Sequence, residues 1–322
     1  MRIDTILMNK VAHIFPLFEI IKAMRILVLF SAFGLVSGCV LTYRQPVEPV
    51  LATEEGSATF DGERAYHHVL TQVGFGPRVP GTEAHTRTGE WIAQKMRASG
   101  WDVEFQAFEY GGYELRNIIA RRENNQSTGA PIILGAHYDS RFLADQDENT
   151  PGEPVPGAND GASGVAVLLE LARVLETHSG TEPIWIVFFD AEDNGRIEGW
   201  DWILGSRYFV DNLEHWPRAA VIVDMVGDAD LQLYYERNSD TVLRSEIWET
   251  ANTLGFDEFI PQEKYSILDD HTPFIQVGIP AVDIIDFDYP YFHTTQDLPD
   301  KVSHRSLAIV GRTLEVWLET GG

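Results

Sequence analysis

The chain has 322 residues, 44% of them hydrophobic, enough for one large α/β domain or two smaller ones with a sizeable core. A net charge of −25 argues against nucleic acid as a partner, because phosphate binding needs basic surface. A single cysteine leaves no disulfide to support the fold.

Lys22 and Arg25 precede an apolar run over residues 26–36. That run is too short to span a bilayer comfortably and has the charged-then-apolar order of an export signal. It ends in Val36-Ser37-Gly38-Cys39, which resembles the lipobox of bacterial lipoproteins, where cleavage precedes a cysteine that is then lipidated. The plainer alternative is an ordinary signal or a membrane anchor with an incidental cysteine. A lone unpaired thiol in an exported protein is otherwise odd, so Cys39 is expected to be the lipidation site. Residues 1–38 then form the signal peptide, and residues 39–58, polar with Pro46 and Pro49, form a tether. The protein is expected to be exported and anchored by lipid to a membrane of the bacterial envelope. The residues before Met24 read as an over-long leader or a start placed too early.

From residue 59 onward the pattern is that of one domain. Residues 83–99 have helical periodicity through Trp91, Ile92, Met96 and Ala98, and residues 102–108 alternate like a strand. Apolar runs at 131–136, 184–189, 219–223 and 279–285 fit strands buried on both faces. Between them, residues 162–175 are apolar almost all round and predict a buried helix. Residues 306–318 place Leu307, Val310, Leu314 and Trp317 on one stripe of a last helix. Alternating strands and helices predict an α/β fold, three layers with helices on both sides of a central, mostly parallel mixed sheet.

In open α/β sheets chemistry gathers at the carboxyl ends of strands. Here each apolar run leads into residues able to bind metal: His137 and Asp139, Glu192 and Asp193, Asp224, and, after a Tyr-Pro loop, His293. Asp160 opens the helix at Gly161-Ala162-Ser163-Gly164. Singly, each is weak evidence, since an Asp after a strand is more often a cap or turn residue. Their repeated placement is what points to one or two zinc ions held by imidazole and carboxylate.

The ordered set His137-x-Asp139, Asn159-Asp160-Gly161-Ala162-Ser163-Gly164, Glu192-Asp193, Asp224 and His293 resembles the zinc aminopeptidase superfamily across residues 60–322. A narrower resemblance is to the zinc-dependent glutaminyl cyclases. It rests on Gly76-Pro77-Arg78-Val79-Pro80-Gly81, on Phe188-Phe189-Asp190-Ala191-Glu192-Asp193 with Trp200, Trp202 and Gly205-Ser206-Arg207, and on Asp269-Asp270-His271-x-Pro273-Phe274 with Gly278-Ile279-Pro280 and His293-Thr294. The chain departs from the animal enzymes in having Asp193 where they have a second Glu, and Phe292 where they have Trp.

The resemblance implies conversion of N-terminal glutamine to pyroglutamate with loss of ammonia, on peptide or protein N-termini. It implies one zinc per chain on Asp160, Asp193 and His293. Glu192 would shuttle the proton, Asp224 would hold the substrate amine, and Asp269 would hydrogen-bond with Glu192 and stabilise the developing charge. Trp200 or Trp202, with Phe292, would wall the substrate pocket; packing alone would equally explain either tryptophan. The alternative is a two-zinc aminopeptidase, with His137 and Asp224 as further ligands, Asp160 bridging and Glu192 activating water. A binding protein that had kept only the fold would have no need of Glu192. Sequence leaves the oligomeric state open.

Overall fold

The structure, a computed structural model, describes residues 59–122, 129–175 and 183–321; the expected signal peptide, Cys39 and the tether to residue 58 lie outside the described residues. The chain order is α1 (Gly62–Gly74), α2 (Glu83–Ala98), β1 (Asp102–Tyr110), β2 (Tyr113–Arg122), β3 (Ile132–His137), α3 (Ala162–Val174), β4 (Ile184–Phe189), α4 (Leu204–Asp211) and β5 (Ala219–Asp224). Then come β6 (Leu233–Tyr235), α5 (Thr241–Thr253), β7 (Phe259–Glu263), α6 (Thr272–Gln276), β8 (Ala281–Ile285) and α7 (His304–Glu319).

Six strands form one sheet in the order β1-β2-β4-β3-β5-β8. The pairs β4–β3, β3–β5 and β5–β8 are parallel, and β1–β2 and β2–β4 are antiparallel. The sheet is therefore mixed and mostly parallel at its centre, as the apolar runs predicted. β2 was not anticipated, because Glu114, Arg116, Asn117, Arg121 and Arg122 interrupt its apolar residues. Its signal lay in the turn instead. Gly111 and Gly112 both take positive φ, 58° and 86°, and close the β1–β2 hairpin as paired glycines do.

The central strands are buried on both faces, and their alternation divides the core in two. Ile132, Leu134, Ile186, Phe188, Val221 and Val223 point into the larger cluster, with Ile92, Trp248 and Trp317 from the helices α2, α5 and α7. Ile133, Trp185, Val187, Phe189 and Ile222 point the other way, against Phe209 of α4 and Phe274 of α6. Helices thus cover both faces, giving three layers. The stripe Leu307, Val310, Leu314 and Trp317 of α7 is wholly buried. Ser303 caps that helix by accepting from the Arg305 N–H, and Asp240 caps α5 in the same way.

β3 has β4 on one side and β5 on the other, so the order in which successive strands are added reverses there and opens a crevice at the strands' carboxyl ends. α3 runs back from this crevice and touches β5 at Gly164, where any Cβ would strike the Val223 carbonyl oxygen and crowd Ala136. Gly164→Ala is therefore expected to destabilise the fold by about 1–3 kcal/mol, the usual cost of overpacking. Urea unfolding of the variant measures it, and an unchanged midpoint would show that α3 is free to move away.

Candidate metal centre

Asp160 sits between two histidines. His137 Nε2 lies 3.1 Å from Asp160 Oδ1 and 3.1 Å from Asp224 Oδ1. His293 Nε2 lies 2.8 Å from Asp193 Oδ1 and 3.7 Å from Asp160 Oδ2. All five side chains are buried. Their ligand atoms converge as two sets, His137–Asp160–Asp224 and Asp160–Asp193–His293, each with its atoms within 4.8 Å of one another. Asp160 belongs to both.

The sequence builds this convergence from backbone outward. Gly161 has φ 47°, and a Cβ there would collide with the His137 ring and carbonyl oxygen, so only glycine lets Asp160 approach His137. Arg78, fully buried, donates to the carbonyl oxygens of Tyr138, Pro156, Gly157 and Asp160, at 3.0, 2.8, 2.6 and 3.3 Å. The Pro-Arg motif noted in the sequence is thus a brace that ties the end of β3 to the loop carrying Asp160. From the other side the Asp297 carboxylate accepts from the Asn159 and Asp160 N–H groups at 2.8 and 3.1 Å. Asp139 accepts from the Glu192 and Asp193 N–H groups, at 3.0 and 3.3 Å, and from the Asn194 side chain at 3.1 Å. Three non-glycine residues at the site, Ala191, Met225 and His293, hold left-handed backbone at φ 56°, 45° and 54°. Such conformations cost of order 1–3 kcal/mol each and persist where surroundings enforce them.

The buried imidazoles and carboxylates shift one another strongly. Burial pulls the His137 imidazole down, but Asp224, Asp139 and Asp160 outweigh it and hold the ring well above its ordinary value. Burial likewise opposes, and Asp193 and Asp160 overcome it, at His293. Burial pushes Asp224 up to about 7, against the pull of His137. Asp193 is raised by burial and by Asp160, whereas at Asp160 the burial penalty is outweighed by the two histidines, which lower it. One His137 N–H cannot serve two carboxylates at equal distance. Asp139 lies 3.3 Å from His137 Nδ1, so in the neutral ring a proton on Nδ1 would leave the Nε2 lone pair facing Asp160 and Asp224. The buried oxygens Asp160 Oδ2 and Asp193 Oδ2 have no hydrogen-bond partner. Imidazole nitrogens and carboxylates converging around orphaned oxygens fit zinc, which takes this donor set.

The crevice is a cavity of about 390 Å³, lined by Asp160, Asp193, His293, Glu192, Asp269, Asp224, Trp202 and Phe292, with Arg141 and Asp145 at its edge and Ile267, Leu268 and Phe287 among its apolar residues. Burial lifts the Glu192 carboxyl well above the usual carboxylate range; Asp193, Asp269 and Asp270 push the same way and His137 opposes them. Trp202 lies parallel to the His293 ring with centroids 6.0 Å apart, and Phe292 stacks against the same ring at 3.6 Å. Of the two candidate tryptophans, Trp202 therefore walls the cavity. Trp200 does not: it packs against Tyr110, Tyr113 and Phe142, with ring centroids 5.0–5.5 Å apart, in an aromatic cluster of its own. Its assignment as a pocket residue is corrected to core packing.

Sequence reasoning missed Asp297, Arg141 and Asp145, all at or beside the site. Asp297 stands in the turn after His293-Thr294 and had no strand-end position to mark it. Arg141 and Asp145 follow the His137-x-Asp139 motif in a loop whose path the sequence does not reveal.

Residues 117–318 match the sequence profile of peptidase family M28. The chain is 28% identical to the glutaminyl-peptide cyclotransferase of Drosophila melanogaster over 260 residues, covering 69% of this chain and 70% of that one. The crystal structure of Porphyromonas gingivalis glutaminyl cyclase is similar, with 35% identity, a TM-score of 0.77, and coverage of 82% of this chain and 99% of that one. A leucine aminopeptidase precursor from Bacteroides thetaiotaomicron is similar too, at 33% identity and TM-score 0.76, covering 82% and 98%. That profile match, over more than half of the chain, places the chain in peptidase family M28.

Proposed function

We propose that this chain is a zinc-dependent glutaminyl-peptide cyclotransferase. The observation that carries the reading is Glu192 and Asp269 together in one buried cavity beside Asp160, Asp193 and His293. Cyclisation needs a group that takes a proton from the α-amine and returns it to the departing ammonia, and a carboxyl lifted by burial is suited to both halves. Asp269 supports that exchange from the same wall. Asp224 receives the amine. Trp202 and Phe292 border the side-chain pocket and keep water from competing. Zinc on Asp160, Asp193 and His293, when bound, supplies Lewis acidity toward the carboxamide oxygen. The new C–N bond forms from the α-amine to the carboxamide carbon, and the bond to the side-chain nitrogen breaks. The similarity to glutaminyl cyclases supports this reading.

The second reading is a two-zinc aminopeptidase, favoured by the compact His137–Asp160–Asp224 set and by the similarity to a leucine aminopeptidase precursor. Incubation with a peptide beginning in glutamine separates them. The cyclase reading expects free ammonia and loss of the peptide's amine with no chain shortening; release of free glutamine supports the hydrolase instead.

We further propose that the protein is exported and lipid-anchored through Cys39. Cys39→Ser is then expected to move it from the membrane fraction to the soluble one, or to stall its processing. Intact mass of the mature protein reads this directly, and an unlipidated N-terminus elsewhere contradicts it.

A further inference from the structure

Each metal-facing histidine has a second ring nitrogen, and each meets a carboxylate there. For His137 it is Asp139, at 3.3 Å. For His293 it is Asp145, whose Oδ1 lies 3.5 Å from Nδ1. Asp139 was visible in a motif next to His137; Asp145 is 148 positions from His293 in sequence and reaches it only through the fold. Its loop is sewn onto the His293 segment residue by residue. The Gln146 N–H donates to the His293 carbonyl oxygen at 3.2 Å. The Asp147 carboxylate accepts from the Thr295 N–H at 3.1 Å and from its hydroxyl at 2.5 Å.

Arg141 fixes the other side of Asp145. Its guanidinium grips the carboxylate with Nε at 2.9 Å and an Nη at 2.7 Å, the two-pronged geometry that sets both direction and distance. The same guanidinium, 2% exposed, donates to the carbonyl oxygens of Asp193 at 2.6 Å and Gly195 at 3.4 Å, and lies 4.8 Å over the Trp202 ring. One buried cation thus touches the segment bearing the ligand Asp193, the aromatic wall beside His293 and the carboxylate behind His293. No other cation among the described residues joins these three.

We propose that Arg141 and Asp145 are a positioning pair for the zinc ligand His293. Asp145 accepts from the Nδ1–H, which keeps the proton on Nδ1, fixes the tautomer and turns the Nε2 lone pair toward Asp160 and Asp193. Arg141 holds Asp145 in place and sets its distance from the ring. The proposal rests on the zinc site proposed above and is independent of which reaction that site performs.

The test is zinc affinity, measured by competition with a chromophoric chelator, for Asp145→Ala, Asp145→Asn and His293→Ala beside the wild type. Removing an outer carboxylate from a ligating histidine typically costs about 10–100-fold in affinity; Asp145 is 44% exposed and partly screened by water, so about 10-fold is expected for Asp145→Ala. Asp145→Asn keeps the volume and one acceptor oxygen and is expected to lose several-fold. It decides the matter if Asp145→Ala leaves Arg141 unpaired and fails to fold. Ring proton–nitrogen correlation spectra of the zinc-loaded protein give a second readout: the His293 Nδ1–H signal is expected in the wild type and altered in both Asp145 variants. Folded Asp145 variants with wild-type zinc affinity and an unchanged His293 signal overturn the pair, provided His293→Ala has lost zinc. If His293→Ala keeps zinc as the wild type does, the site assignment itself fails, and the positioning proposal with it.

Discussion

Glu192→Gln is expected to keep its fold and its zinc while turnover on a glutamine peptide falls by about 10²–10⁴-fold, the usual contribution of a general acid–base group. Glutamine fills the same volume and cannot carry the proton. The Glu192 backbone N–H is held by Asp139 at 3.0 Å, so the substitution does not disturb the turn. Glu192 is not in either ligand set, so metal binding is not expected to follow activity down. The loss should appear in kcat more than in KM, because binding groups such as Trp202 and Asp224 remain. Near-normal turnover by the variant, with zinc content confirmed, means that another group moves the proton. The same loss is expected under either reaction, so this result tests the residue and not the choice of chemistry.

The histidines separate the two chemistries. Geometry alone gives both the opportunity to bind zinc, since each Nε2 faces Asp160 and one further carboxylate. In the cyclase reading only His293 is a ligand. His293→Ala is therefore expected to lower zinc affinity by more than the about 10–100-fold that outer-shell changes cost, and to abolish turnover with it. His137→Ala is expected to retain its zinc. It should still lose some activity, because His137 holds Asp224, the residue assigned to the amine, at 3.1 Å. Metal analysis after dialysis against a weak chelator reads both variants. Loss of zinc from His137→Ala to the same extent as from His293→Ala would favour the shared, two-metal centre.

Much of this site was legible before the fold because the sheet does most of the placing. His137, Asp193 and Asp224 lie at or just past the ends of neighbouring parallel strands, and a strand buried on both faces announces itself as an unbroken apolar run. Asp160 was legible as the residue that opens a helix at Gly161-Ala162-Ser163-Gly164; that Gly161 lies against His137 is visible only in the fold. The strand β2 was not legible, because its polar residues serve specific partners: Asn117 donates to Gln106 and to the Gly205 carbonyl oxygen, and Arg116 pairs with Glu90. Local pattern carries no trace of such long-range pairs. The choice between Trp200 and Trp202 fails for the same reason. They are two residues apart in a loop of unusual backbone, with left-handed Arg196, Glu198 and Ile203, and which ring faces the cavity depends on how that loop turns. Arg78 shows the opposite error: its motif was read for family resemblance, and its physical work is bracing four carbonyl oxygens.

The central claim is that a single zinc on Asp160, Asp193 and His293 suffices to cyclise N-terminal glutamine. The most direct measurement strips the purified protein of metal and returns zinc in known increments, following ammonia release from a glutamine peptide and free leucine from a leucine peptide. A hydrolase gains from two ions because one can hold the nucleophile while the other polarises the carbonyl, whereas cyclisation carries its nucleophile within the substrate. The account predicts that ammonia release rises linearly and reaches its plateau at one zinc per chain, with no free leucine at any loading. A plateau only at two zincs per chain, with leucine released and no ammonia, would contradict it.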